Sequence, residues 1–170
     1  MIRIVCTAAL LAGLLSMPAM AQSQTVFLLR HAEKSSEPSA DPELTDAGNA
    51  RALRLVSLFA QAKPSAVYST QYRRTMATAA PLAKAMELQV TVLPVSKENA
   101  DQYPELLKQA VCALPSGSNA VVIGHSNTLP AIVQAWTGTP VNAIDDKEYD
   151  RLFMVKLEKC QAAGSMDLRY

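Results

Sequence analysis

Short apolar, β-branched runs alternate with helical stripes along this chain, and that alternation restricts its fold more than any other feature. Thr25–Arg30 reads as a buried strand, and similar runs follow at Ser65–Ser69, Gln89–Pro94, Ala120–Gly124 and Arg151–Glu158. Ser165–Tyr170 is a candidate edge strand at the end. Between the runs, apolar residues recur at i, i+3, i+4, i+7. Ala52, Leu55, Val56 and Phe59 do so behind Thr45, a suitable N-cap, and Leu107, Ala110, Val111 and Leu114 do so after Pro104. Leu129, Ile132, Val133 and Trp136 repeat the spacing and stop at Gly138. Met76, Ala79, Ala80 and Ala83 make a fourth stripe, with a kink expected at Pro81. Strand and helix in alternation predict a layered α/β domain with a largely parallel sheet.

The chain of 170 residues is 49% hydrophobic and 18% charged, which excludes a disordered, collagenous or multi-span membrane protein. Residues 1–21 read as a cleaved signal peptide. Arg3 supplies the positive start, Ile4–Met17 the apolar stretch, and Ala19 and Ala21 the small residues of a cleavage site. About 14 apolar residues fall short of the ~20 that span a bilayer, so no membrane span is expected after cleavage. Residues 22–170 are then a single domain, periplasmic or secreted. Without Arg3 the chain carries 15 basic and 15 acidic residues, a balance that argues against a nucleic-acid partner. Cys6 leaves with the leader. Cys112 and Cys160 remain, an even pair that an oxidising compartment would bridge, with two separate buried thiols as the alternative.

The domain holds two histidines, and each directly follows a buried run: His31 after Arg30, and His125 after Gly124. Residues at the carboxyl ends of parallel strands converge on one crevice, so the two are expected to meet there. Two histidines without a clustered third ligand fall short of a zinc site. Ser126 is not a hydrolase nucleophile either, because Thr128 stands where the Gly-x-Ser-x-Gly elbow needs its second glycine.

Arg30-His31-Ala32-Glu33 resembles the signature of the histidine phosphatase superfamily, which includes phosphoglycerate mutases and phosphohistidine phosphatases. Leu44-Thr45-Asp46-Ala47-Gly48 is similar to the superfamily's Leu-Thr-x-x-Gly segment. Tyr68-Ser69-Thr70, Arg74-Thr75 and Thr78-Ala79 resemble its second arginine motif, and Gly124-His125-Ser126-Asn127 its second histidine block. The resemblance implies a three-layer α/β/α sandwich of the phosphoglycerate mutase type, with no cofactor. It implies phosphoryl transfer to His31, with Arg30, Arg74 and His125 holding the phosphoryl group and Arg73 on the surface. The amides of Ser126 and Asn127, at the start of a helix, are candidate further donors. Such a phosphatase is metal-independent and acts on a small phosphorylated molecule or a phosphoprotein. It would hydrolyse phosphomonoesters or phosphoramidates through a phosphohistidine. The alternative is a phosphate-binding module that keeps the pocket without turnover.

One family feature has no counterpart. Mutase-like members carry a glutamate acid after the third strand, and acid-phosphatase-like members an aspartate directly after the second histidine. Ser126 occupies the latter place, and the former segment is only Val95–Gln102. Glu33 and Glu98 are the candidate general acids, and Asp101 is an exposed loop charge.

Overall fold

The central parallel strands bury both faces, which is why they read as unbroken apolar runs instead of alternating ones. The computed structural model describes residues 23–36 and 38–170; the expected signal peptide lies outside them. Six strands and four helices follow in the order β1 (Ser23–Arg30), α1 (Asp46–Leu58), β2 (Ala66–Ser69), α2 (Arg73–Ala85), β3 (Val90–Val92), α3 (Tyr103–Cys112), β4 (Ser118–Gly124), α4 (Thr128–Thr137), β5 (Arg151–Glu158) and β6 (Gln161–Arg169). They form one sheet ordered β3-β2-β4-β1-β5-β6. The four strands from β3 to β1 are parallel, whereas β5 runs antiparallel to β1, and β6 antiparallel to β5. The sheet is therefore mixed, with its parallel part at the centre and one flank.

Alternate residues of each central strand serve opposite layers. Val26, Leu28, Ala120 and Val122 pack with Leu107 and Val111 of α3 and Leu129, Ile132 and Trp136 of α4. Leu29, Val67, Val121 and Ile123 pack with Leu55 of α1 and Ala79, Leu82 and Ala83 of α2. A fully buried leucine of this kind contributes about 1.5–3 kcal/mol, so the two layers together carry the fold. The Trp136 indole N–H donates to the Pro104 carbonyl at 2.8 Å and ties α4 to α3. Helix α2 runs unbroken through Pro81, and Ala80 of its stripe faces solvent.

Thr45 caps α1 as its sequence suggests, its hydroxyl accepting from the Gly48 N–H at 3.1 Å. Gly48 is required there because a Cβ would stand 2.2 Å from the Glu33 carbonyl oxygen. The Thr45 amide also donates to that carbonyl, at 2.9 Å. This close approach pins the segment that follows His31 against α1, so the Leu-Thr-x-x-Gly block shapes the site without touching it.

Cys112, at the end of α3, and Cys160, in the β5–β6 turn, are joined as a disulfide with Cα atoms 5.7 Å apart and a sequence separation of 48. Closing a loop of that length stabilises by about 4 kcal/mol in the chain-entropy model. The protein freed of its first 21 residues should take up no thiol-alkylating reagent when unfolded without reductant. After reduction it should take up two equivalents; two reactive thiols beforehand would show that the bridge does not form in solution.

Candidate active site

Strands β1 and β4 are neighbours in register, with Arg30 opposite Gly124, so the residues that follow both strands emerge side by side. The His31 and His125 rings accordingly meet edge to face with centroids 5.5 Å apart. Strand β2 lies on the other side of β4, and the helix it feeds brings Arg74 to the same place. Arg30, His31, Arg74, His125, Ser126 and Asn127 all line one cavity of about 350 Å³. Arg73 instead points away and pairs with Glu43 on the surface.

Each ring is held in one tautomer. His31 Nδ1 lies 2.8 Å from the Ala32 carbonyl, which can only accept, so Nδ1 carries the proton and Nε2 keeps its lone pair. The Ala32 amide is fixed in turn by the Thr78 hydroxyl at 3.0 Å, and that hydroxyl donates to the Arg74 carbonyl at 2.7 Å. This is the local work of the Thr78-Ala79 block. His125 Nδ1 faces Arg74 Nη2, a donor, at 3.4 Å. Its Nε2–H therefore donates to the Thr70 hydroxyl at 2.9 Å. Thr70 passes a hydrogen bond to Thr75 at 2.8 Å, and Thr75 donates to the Tyr72 carbonyl at 2.8 Å. Both threonines are fully buried, so the chain excludes water from behind the ring.

The arginines are anchored but not saturated. Arg30 Nη1 donates to the carbonyls of Asp145 (2.7 Å), Asp146 (3.1 Å) and Glu148 (3.2 Å), and its guanidinium stacks on Tyr149 at 4.4 Å. Arg74 stacks on Tyr72 at 4.5 Å and reaches Asp41 at 3.4 Å. The Nε of each arginine is buried and has no hydrogen-bond partner in the structure. A buried donor without an acceptor costs about 1–3 kcal/mol, more when charged, and an anion's oxygens in the cavity would relieve that cost.

Burial above all, then the charges of Arg30, Arg74 and Lys34, lowers the His31 pKa to about 4, against the opposing pull of the Ala32 carbonyl. Burial, then Arg74 and the neighbouring ring, lowers His125 to about 3. Both rings are then neutral at neutral pH, which leaves the His31 Nε2 lone pair available. In an NMR titration both rings should stay neutral from pH 8 to about pH 5, with midpoints near 4 and 3. The unfolded chain takes up these protons first, so this part of the stability is present above about pH 6.5. It is lost as pH falls through the folded values. Midpoints near 6.5 would contradict the buried geometry.

Neither candidate acid lines the cavity. Glu33 turns back onto α1, where Arg51 holds it by a fork with contacts of 2.7 and 3.0 Å, and those hydrogen bonds keep its carboxyl below the usual carboxylate range. Glu98 is fully exposed, and its carboxyl is lowered by a hydrogen bond with Ser96. The carboxylate that does line the cavity is Asp146, 99% exposed and 3.9 Å from Arg30 Nη2. Sequence reading missed it, together with Tyr72, Tyr149 and the roles of Thr70 and Thr75. The Tyr68-Ser69-Thr70 block was a signal for Thr70; the loop of Asp146 and Tyr149 offered none. Among the described residues, no group of three or more His, Cys, Asp or Glu side chains is placed to hold a metal ion. No helix among them is long and apolar enough to cross a membrane.

The mixed α/β sandwich is a fold of the phosphoglycerate mutase type, and its cavity gathers two histidines and two unsaturated arginines, a set chemically suited to a phosphoryl group. The histidine phosphatase superfamily (branch 1) matches residues 26–106. Over that stretch the chain is similar to the superfamily in sequence. No curated protein matches it in sequence. Among solved structures, a putative α-ribazole-5′-phosphate phosphatase from Escherichia coli is similar at a TM-score of 0.71 and 15% identity, covering 86% of this chain and 97% of that one. A mycobacterial glucosyl-3-phosphoglycerate phosphatase gives 0.69 and 13%, covering 88% and 99%. The putative phosphohistidine phosphatase SixA from Agrobacterium tumefaciens gives 0.57 and 19%, covering 84% and 97%. At these identities the likeness is one of fold.

Proposed function

We propose that this chain is an exported, metal-independent phosphatase that hydrolyses phosphomonoesters or phosphoramidates through a phosphohistidine on Nε2 of His31. The observation that carries the reading is the free Nε2 lone pair of His31 in a cavity it shares with two arginines whose buried Nε atoms have no partner. Nε2 attacks phosphorus as the bond to the leaving group breaks, and the leaving group departs with that electron pair. Arg30 and Arg74 take the charge that builds on the phosphoryl oxygens. Water then attacks phosphorus, the N–P bond returns its electrons to Nε2, and inorganic phosphate leaves. His125 becomes a donor to a phosphoryl oxygen when Arg74 turns its Nη2 to the anion and the ring changes tautomer, its proton moving to Nδ1 while Nε2 accepts from the Thr70 hydroxyl. The amides of Ser126 and Asn127, both at the cavity wall, are further donors. Export is supported by the leader-like residues 1–21 and by a disulfide of a kind that reducing compartments disfavour.

A positioned general acid typically contributes 10²–10⁴-fold to such a reaction. Here the cavity carboxylate, Asp146, sits beside a guanidinium as an acceptor. Turnover should therefore depend on the leaving group itself. Across phosphates of graded leaving-group basicity, kcat should fall steeply, with simple alkyl phosphates at least about 10²-fold slower than aryl ones. Glu33→Gln and Glu98→Gln should change aryl phosphate turnover by less than about twofold. A flat wild-type series that turns steep in Asp146→Asn, Glu33→Gln or Glu98→Gln would overturn this and identify that residue as the acid. Absence of phosphate release from every member would remove the phosphatase reading itself.

A further inference from the structure

The arginines and histidines account for only one end of the cavity. Its volume of about 350 Å³ is several times what a phosphoryl group occupies, and the remainder is walled by Lys34, Tyr72 and the segment from Val95 to Ala100. Two further cations, Lys34 and Lys97, belong to this lining. Lys34 lies four residues beyond the end of β1 and Lys97 five beyond the end of β3, and both line the cavity. Neither ammonium is paired with a carboxylate among the described residues. The cavity thus presents four cations, two held arginines and two exposed lysines, to one carboxylate, Asp146, which leans on Arg30. Two arginines suffice for a phosphoryl dianion. Two lysines are left over.

The wall that carries Lys97 is rigidly built. The Gln71 carboxamide grips both backbone groups of Val95, accepting from its N–H at 3.0 Å and donating to its carbonyl at 2.8 Å. Asn99 accepts from the Ser96 N–H at 2.8 Å and donates to the Pro94 carbonyl at 3.0 Å. Leu93 is bonded back to the Ser69 carbonyl at 2.9 Å. Gln71 lies between the Thr70 hydroxyl behind His125 and the Tyr72 ring over Arg74. The wall is thereby tied to the same segment that sets the phosphoryl site.

We propose that Lys97 and Lys34 form a subsite for a second anionic group, and that the preferred substrates are phosphomonoesters whose leaving group itself carries a carboxylate or a phosphate. The inference rests on the phosphatase reading above and deepens it. Three aryl phosphates test it: meta-carboxyphenyl phosphate, meta-phosphonophenyl phosphate and the neutral meta-carbamoylphenyl phosphate, alike in shape and differing in charge. The charged compounds should show a kcat/KM roughly tenfold above the neutral one at low salt, expressed in KM and shrinking as salt is added. The larger of the two charged ratios tells carboxylate from phosphate. Lys97→Gln and Lys34→Gln should each lower the ratio several-fold, the double variant should bring it close to one, and Lys97→Arg should keep it. A wild-type ratio near one, or a ratio that survives in the double variant, would overturn the subsite. Failure of the phosphatase reading looks different, since then none of the three compounds is hydrolysed.

Discussion

The His31→Ala variant should lose turnover of aryl phosphates by at least about 10⁴-fold while remaining folded. Nε2 is the only ring nitrogen in the cavity that keeps a free lone pair, because His125 spends its Nδ1 on Arg74 and its Nε2–H on Thr70. Removing a nucleophile leaves only the binding groups, which is the loss expected when one member of a catalytic unit is deleted. The alanine leaves a small gap beside a rigid strand end, and the two core layers of the sheet lie behind it untouched. Circular dichroism and a melting curve close to wild type would separate lost chemistry from lost fold. Activity within tenfold of wild type would remove His31 as nucleophile.

Arg74→Ala should lower kcat/KM by about 10³-fold, whereas Arg73→Ala should change it by less than about twofold. The two residues are adjacent on α2, yet their guanidinium groups lie in different places. Arg74 lines the cavity, stacks on Tyr72 and has a buried, unpartnered Nε. Arg73 is a surface residue paired with Glu43, and exposed pairs of that kind contribute little. Lysine at position 74 should restore only part of the loss, since an ammonium cannot offer the planar fork. Equal losses in the two alanine variants would show that the phosphoryl group is held from elsewhere.

What the sequence disclosed follows from where burial leaves a mark. The parallel strands β1, β2 and β4 were legible because burial on both faces demands runs such as Val26–Leu29 and Val121–Ile123. Their register then decides that His31 and His125 emerge together. Helix α1 was legible because Thr45 is both its cap and its anchor to Glu33. The terminal strand was read too short. It begins at Gln161, where the exposed Gln161-Ala162-Ala163-Gly164 stretch carries no β-branched residue to signal it. The hairpin turns through Lys159 and Cys160, both at positive φ, where Asn-Gly would have given a visible signal.

The site shows the same division. Residues inside the motifs arrived where the strand ends put them. Glu33 did not, although it stands two positions from His31, because the chain turns it toward Arg51 on α1. The residues that hold Arg30 were out of reach for a plainer reason. They are backbone carbonyls of Asp145, Asp146 and Glu148, and a carbonyl has no identity in a sequence. The hydroxyl chain from His125 through Thr70 to Thr75 is likewise a fact of packing between β4 and α2.

The central claim is the covalent intermediate, and rapid quenching with mass spectrometry tests it most directly. The enzyme is mixed with an aryl phosphate, stopped in alkali within milliseconds and mapped. The account predicts one added phosphoryl group on the peptide that contains His31, stable in alkali and lost in acid, and absent from the His31→Ala variant. Steady release of phosphate with no modified peptide at any quench time, or a phosphoryl group on another residue, would contradict it.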